Sequence, residues 1–227
     1  DHSTPSYKEL DFDKISEVCS NAKTLRQEDL KKSGIVLGDS HALSAWRTDA
    51  YLCRNDGQTL NGAINRGFDS WTKRFTLDPD CKPFFLRTYF GNIDIRHHVC
   101  RLASTPEDQK ELTLDLVRRY IAELQSWQQR NDVELIEVVA SLPIENESRK
   151  LPKTGYFKGQ PFWGSWKERD DVHKIFDESL ILECQKNGFA FIAWPDHFTN
   201  EAGELDFLYM EKPRSVHISP EHYMWNI

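Results

Sequence analysis

The chain has 227 residues, 39% hydrophobic and 29% charged, with a net charge of −7. That length can bury one substantial core, so a single main domain is expected. The acidic balance argues against a dedicated nucleic-acid binder, which needs an excess of Lys and Arg, and no apolar run approaches the ~18 residues of a membrane span. No signal-peptide pattern stands out. Five cysteines (Cys19, Cys53, Cys81, Cys100 and Cys184) lie far apart with no C-x-x-C pair. They read as free thiols of a reducing compartment, which makes a cytoplasmic location the expectation. Seven tryptophans and thirteen phenylalanines exceed the usual needs of a core, so some are expected to line a pocket.

Residues 1–32 are polar with modest helical character, predicting a helical extension ahead of a main domain over residues 33–227. Ser33-Gly34 interrupts that stretch, and Ile35-Val36-Leu37 is short and apolar enough for a buried strand. Gly38-Asp39-Ser40-His41 then turns the chain into a helix start at residues 42–46. A serine there would stand at the carboxyl edge of an α/β sheet, where such sheets bind ligands. The plainer reading makes Asp39 or Ser40 a helix cap.

Arg54-Asn55-Asp56-Gly57 is a turn cluster, followed by a short predicted strand at residues 59–65, closed by Asn65-Arg66-Gly67. A loop over residues 78–83 leads to an aromatic strand at residues 83–91. Thr105-Pro106-Glu107-Asp108 opens a helix with an apolar face through Leu112, Leu116, Tyr120, Leu124 and Trp127. A strand is predicted at residues 133–141, then a long aromatic loop at residues 144–168, a length that points to function. A helix over residues 169–187 stopped by Gly188, and a strand at residues 189–193, follow. Alternating strands and helices predict a three-layer α/β/α sandwich around a mainly parallel sheet.

Gly38-Asp39-Ser40 after the first strand, Asn65-Arg66-Gly67, Phe90-Gly91-Asn92-Ile93-Asp94 and Val216-His217-Ile218-Ser219-Pro220 form four ordered blocks. Together they resemble the SGNH/GDSL hydrolase superfamily over residues 34–223. The third block is closer to a branch with a Phe-Gly-Glu-Ile-Asp-type motif followed by Arg and His, as in Arg96 and His98. The resemblance implies a flavodoxin-like sheet and a serine-dependent acyl hydrolase or O-acyltransferase without cofactor. It further implies Ser40 as nucleophile, His217 as base, and an oxyanion hole from Ser40, Gly67 (with Gly62 competing) and Asn92. A small-molecule or carbohydrate ester is the implied substrate.

Two residues depart from the pattern: Ile93 stands at the oxyanion asparagine position, and Arg214 three residues before His217, where the family has an aspartate. Orientation of the base would fall to Asp206, Glu211 or a carbonyl, or the site is a Ser–His dyad. The departures also motivate a second reading, a non-catalytic binding or assembly module. Asp39, His41, Asp94, Arg96, His98, Trp163, Trp166 and Arg214 are expected to contact substrate or support the site.

Several side chains invite other roles. Asp94, His97 and His98 are of metal-ligand type but lack ligand spacing, so no metal is expected. His222 is a weaker candidate base, His173 reads as solvated, and Cys53 and Cys100 read as buried thiols.

Overall fold

A computed structural model describes residues 32–224. The expected extension over residues 1–32 lies outside the described residues apart from Lys32, as does Cys19. Five strands form an all-parallel sheet: β1 (Gly34–Gly38), β2 (Ala50–Arg54), β3 (Phe85–Tyr89), β4 (Leu135–Val139) and β5 (Ala190–Ile192). Their spatial order is β2-β1-β3-β4-β5, the flavodoxin-like order.

The helices are α1 (Leu60–Arg66), α2 (Asp69–Thr72), α3 (Val99–Leu102), α4 (Pro106–Asn131) and α5 (Trp166–Asn187). Right-handed crossovers determine which face each connection covers. The step from β1 to β2 runs opposite to every later step, so its connection packs on the other face. Accordingly Ile35, Leu37, Leu86, Ile136 and Val138 meet α1, α2, α4 and α5 in one large cluster. The alternate residues Val36, Leu52 and Phe85 meet the 3₁₀ turn Ala42–Ala45 and Trp46. The C-terminal run through Phe198, Leu205, Met210, Val216 and Ile218 completes that outer layer. No helix among the described residues is long and apolar enough to cross a membrane.

Local signals explain most boundaries. Thr105 caps α4 by accepting from Asp108 N, with Pro106 at its first position. Ser165 and Glu168 form a capping box that starts α5 three residues earlier than expected. Gly188, left-handed at φ 67°, ends it.

The strand expected over residues 59–65 is instead helix α1, and the second strand is Ala50–Arg54, which had no strand prediction. Thr59 Oγ1 accepts from Gly62 N, and the Asp94 carboxylate accepts from Leu60 N at 2.7 Å and Asn61 N at 3.0 Å. Three of the four orphan donors of the first turn are thereby satisfied, two of them by a residue remote in sequence.

The outer face of β4 carries a charge inside the fold. Glu137 is buried and lies 2.6 Å from both Arg47 and Arg87. The Arg47 guanidinium also stacks 3.8 Å above the Phe85 ring. Removing one partner of a buried pair leaves an uncompensated charge, which costs about 3–5 kcal/mol. Glu137→Ala is therefore expected to destabilise the fold by about that amount in urea denaturation. A loss below about 1 kcal/mol would show that the network carries no stability.

Candidate active site

The crevice outside the carboxyl ends of β1 and β3 is where the strand order reverses, the usual ligand site of such sheets. Gly38 is required at its rim, because a Cβ there would meet Tyr89 O at 2.4 Å. This close approach lets Asp39 N donate to Tyr89 O at 3.3 Å and sends Ser40 out at the strand end. Ser40 is half-buried, and its Oγ lies 2.9 Å from His217 Nε2 across 177 residues of chain.

His217 is delivered by a hairpin. Met210 and Ile218 form an antiparallel bridge, and Glu211 N donates to His217 O at 2.8 Å. This sets the Glu211 carboxylate 3.8 Å from His217 Nδ1. With the Nδ1 proton facing Glu211, Nε2 is free to accept from the Ser40 hydroxyl. Arg214 sits at the hairpin tip with φ 57°, its side chain turned to Ser148 O at 3.4 Å. The acid beside the imidazole thus comes from six residues upstream, not three. Asp206 instead caps a 3₁₀ turn by accepting from Leu208 N.

Lost solvation is the largest influence on His217, followed by the neighbouring His41, Arg96 and Arg54, and together they push its pKa down to about 3. His41 stacks against Tyr89 and tilts against His217, with ring centroids 5.1 and 5.0 Å apart. Its nitrogens contact Asp39 Oδ1 at 3.1 Å and Val216 O at 3.0 Å. Asp39 and His41 thereby tie the serine turn to the histidine strand.

Two expected oxyanion groups, Gly67 and Asn92, are engaged within the fold in this structure. Gly67 ends α1, and its N–H donates to Ala63 O and Ile64 O, so it has nothing to offer a substrate. The competing Gly62 donates to Thr59 within the same helix. Asn92 is fully buried, with Nδ2 donating to Leu142 O and Oδ1 accepting from Leu142 N and the Tyr89 hydroxyl. It joins the end of β3 to the chain after β4.

Gly57, not singled out from the sequence, lies in the loop after β2, two residues beyond an amide tied to β1. Asn55 N donates to Gly38 O at 3.0 Å, holding the loop after β2 alongside Asp39-Ser40. Gly57 has φ 75° and open space around it. Neither its N–H nor that of Ser40 bonds to a described residue. The turn cluster Asn55-Asp56-Gly57, directly after the apolar Ala50–Arg54, was the available signal.

The remaining candidates divide by position. Arg96 pairs with the fully buried Glu145 at 2.6 Å, and its carbonyl accepts from Trp163 N. Trp163 is half-exposed and meets His97 edge-on, whereas Trp166 anchors α5 by donating from its ring to Ile144 O. Asp94 is the α1 capping group described above. His98 lies 3.0 Å from Arg101 and is pushed down to about 4, chiefly by burial, with His97 and Arg101 adding to it. His173 lies 3.4 Å from both Ser141 O and Asp177, and His222 packs among Tyr209, His197 and Phe198. Burial pushes the Cys53 thiol up to about 12 and Cys100 up to about 11, which leaves neither as a thiolate at neutral pH. Among the described residues, no three His, Cys, Asp or Glu side chains cluster where a metal could bind. Trp46, Trp71, Trp127 and Trp194 are core residues, so most of the tryptophan excess packs the fold.

The five-stranded parallel sheet in this order matches known folds. One is a GDSL-like lipase from Bacteroides thetaiotaomicron, at 13% identity and TM-score 0.54, covering 94% of this chain and 91% of that one. The fold is SGNH/GDSL hydrolase-like. A Bacteroides fragilis structure described as an acylhydrolase is similar at 13% identity and TM-score 0.55, covering 96% and 92%. So is phospholipase A1 from Streptomyces albidoflavus, at 10% identity and TM-score 0.50, covering 85% and 94%. No protein-family model matches the sequence, and no curated protein matches it.

A proton on Nε2 would block acceptance from Ser40, so a lowered pKa extends the base-competent form toward acid. The His217 Cε1–H NMR signal is expected not to titrate between pH 5 and pH 8. A midpoint near the ordinary value of about 6.5 would contradict the environment described here.

Proposed function

We propose that this protein is a serine-dependent acyl-ester hydrolase or O-acyltransferase acting on a small or carbohydrate ester. The observation that carries the reading is the 2.9 Å contact between Ser40 Oγ and His217 Nε2 at the sheet's switch point. Ser40 attacks the ester carbonyl as His217 Nε2 takes its proton, because a free hydroxyl is a weak nucleophile near neutrality. The N–H groups of Ser40 and Gly57 receive the developing oxyanion, each such donor being worth ~3–4 kcal/mol. His217 returns the proton to the departing alkoxide as the carbon–oxygen bond breaks. Water or a second alcohol, deprotonated by His217, then releases the acyl group from Ser40.

Glu211 steadies the imidazole over a longer gap than a hydrogen bond spans. Its loss should therefore weigh less than that of an acid in direct hydrogen-bond contact. Glu211→Gln is expected to lower kcat by well under the ~10⁴-fold recorded for such a group. A loss of that full size would mean Glu211 closes on His217 in the reacting complex.

A second reading, a non-catalytic binding or assembly module, is favoured by Asn92 being committed to Leu142 and by Arg214 replacing the usual acid. Labelling with a fluorophosphonate serine probe separates the two. Wild type is expected to label and Ser40→Ala to lose the label, with hydrolysis of short-chain and sugar acetates lost in parallel. Absence of both labelling and hydrolysis in folded wild type would leave the binding-module reading standing.

A further inference from the structure

A cavity of about 370 Å³ opens beside His217, between the hairpin that carries it and the start of the aromatic loop. The two walls are joined by Lys150 N donating to Arg214 O at 2.8 Å. Its charged lining is Arg149, Lys150, Lys153 and Lys212 against the single carboxylate of Glu211. In a chain of net charge −7 this concentration of cations runs against the overall balance.

The three lysines are exposed and form no ion pair with a described residue. Arg149 differs from them. Its side chain is only 10% exposed, Nη1 meets Glu145 at 3.0 Å, and its buried Nε has no partner. Glu145 cannot neutralise it fully, because the same carboxylate also pairs with Arg96. Desolvation is the main influence on Arg149, and with its cationic neighbours it lowers the pKa to about 10, still charged at neutral pH. Such a guanidinium, fixed by packing, loses little entropy on binding an oxyanion. Leu151 and Pro152 add an apolar wall beside these charges.

We propose that this cavity binds a carboxylate or phosphate group carried on the alcohol half of the ester substrate. The proposal rests on the hydrolase reading of Ser40 and His217. The side of the substrate follows from the chemistry: the imidazole that protonates the leaving oxygen must adjoin the leaving group. A cavity lined by His217 is therefore where the alcohol half lies, and the acyl half points elsewhere in the crevice.

Three aryl acetates isolate the charge: 4-acetoxybenzoate, 4-acetoxyphenyl phosphate and the neutral methyl 4-acetoxybenzoate. Their binding to Ser40→Ala by calorimetry removes turnover from the measurement, and kcat/KM of wild type is read on the same compounds. The anionic esters are expected to bind and react about 10- to 100-fold better than the neutral one, the range of a charge-assisted contact. The carboxylate and phosphate arms identify which anion is preferred. The advantage is expected to shrink with added salt and to fall in the Lys150→Met/Lys212→Met double variant. Equal handling of all three by an active wild type would overturn the anion site and leave the hydrolase intact. Anion-selective binding to Ser40→Ala with no turnover by wild type would do the reverse. Failure of Ser40→Ala to bind any of them selectively overturns the proposal in either case.

Discussion

The reversal of strand order between β1 and β3 is the constraint on which the rest of this molecule depends. A right-handed connection from β1 to β2 must cover one face, and every later connection must cover the other. The chain ends leaving β1 and β3 consequently diverge, and the gap between them has no helix above it. Gly38, Asp39 and Ser40 occupy that gap, with Gly38 kept small by the Tyr89 carbonyl 2.4 Å from where a Cβ would stand. Everything else at the site is brought to this point: the loop after β2 through Asn55, and the C-terminal hairpin through His217.

Charge is managed in an unusual way around this gap. Glu145 is fully buried and would be raised by that burial, but Arg96, Arg149 and Arg169 hold its carboxyl below the ordinary range. Three guanidinium groups around one buried carboxylate, with Glu147 adding a partly exposed second, leave an excess of positive charge in this cluster. That excess includes Arg96, which helps keep His217 neutral and ready to accept a proton. It also favours negative charge wherever it develops or arrives nearby, in an oxyanion or on a substrate. Arg96 acts on the base and Arg149 lines the proposed cavity, and their shared partner Glu145 joins the two.

The aromatic loop between β4 and α5 is held from both sides. Trp163 N bonds to the Arg96 carbonyl, Phe157 meets His97 and His98 edge-on, and Trp166 is tied to Ile144. Its first residues, Arg149 through Lys153, form a wall of the cavity at His217. These contacts fix the loop that carries the basic segment. Phe162 packs under the Arg169 guanidinium at 4.5 Å, so the loop is also bound to the buried charge cluster.

Sequence alone determined the elements whose signals are local. The apolar run at Ile35–Leu37 before Gly-Asp-Ser, the Thr-Pro-Glu-Asp start of α4 and the Gly188 stop of α5 are set by neighbours within a few residues, and so was the serine at a strand end. Other features were decided by partners remote in the chain. Residues 59–65 became a helix because Asp94 reaches its first turn, and Ala50–Arg54 became a strand because β1 offered it an edge. Asn92 was drawn inward by Leu142, and Glu211 was set beside His217 by a hairpin whose tip is Arg214. Capping and turn preferences act over one helical turn, so they can be read from residue order. Which amide meets which carboxylate, and which cations gather around one buried acid, depends on how distant segments pack, and no short window of sequence contains that information.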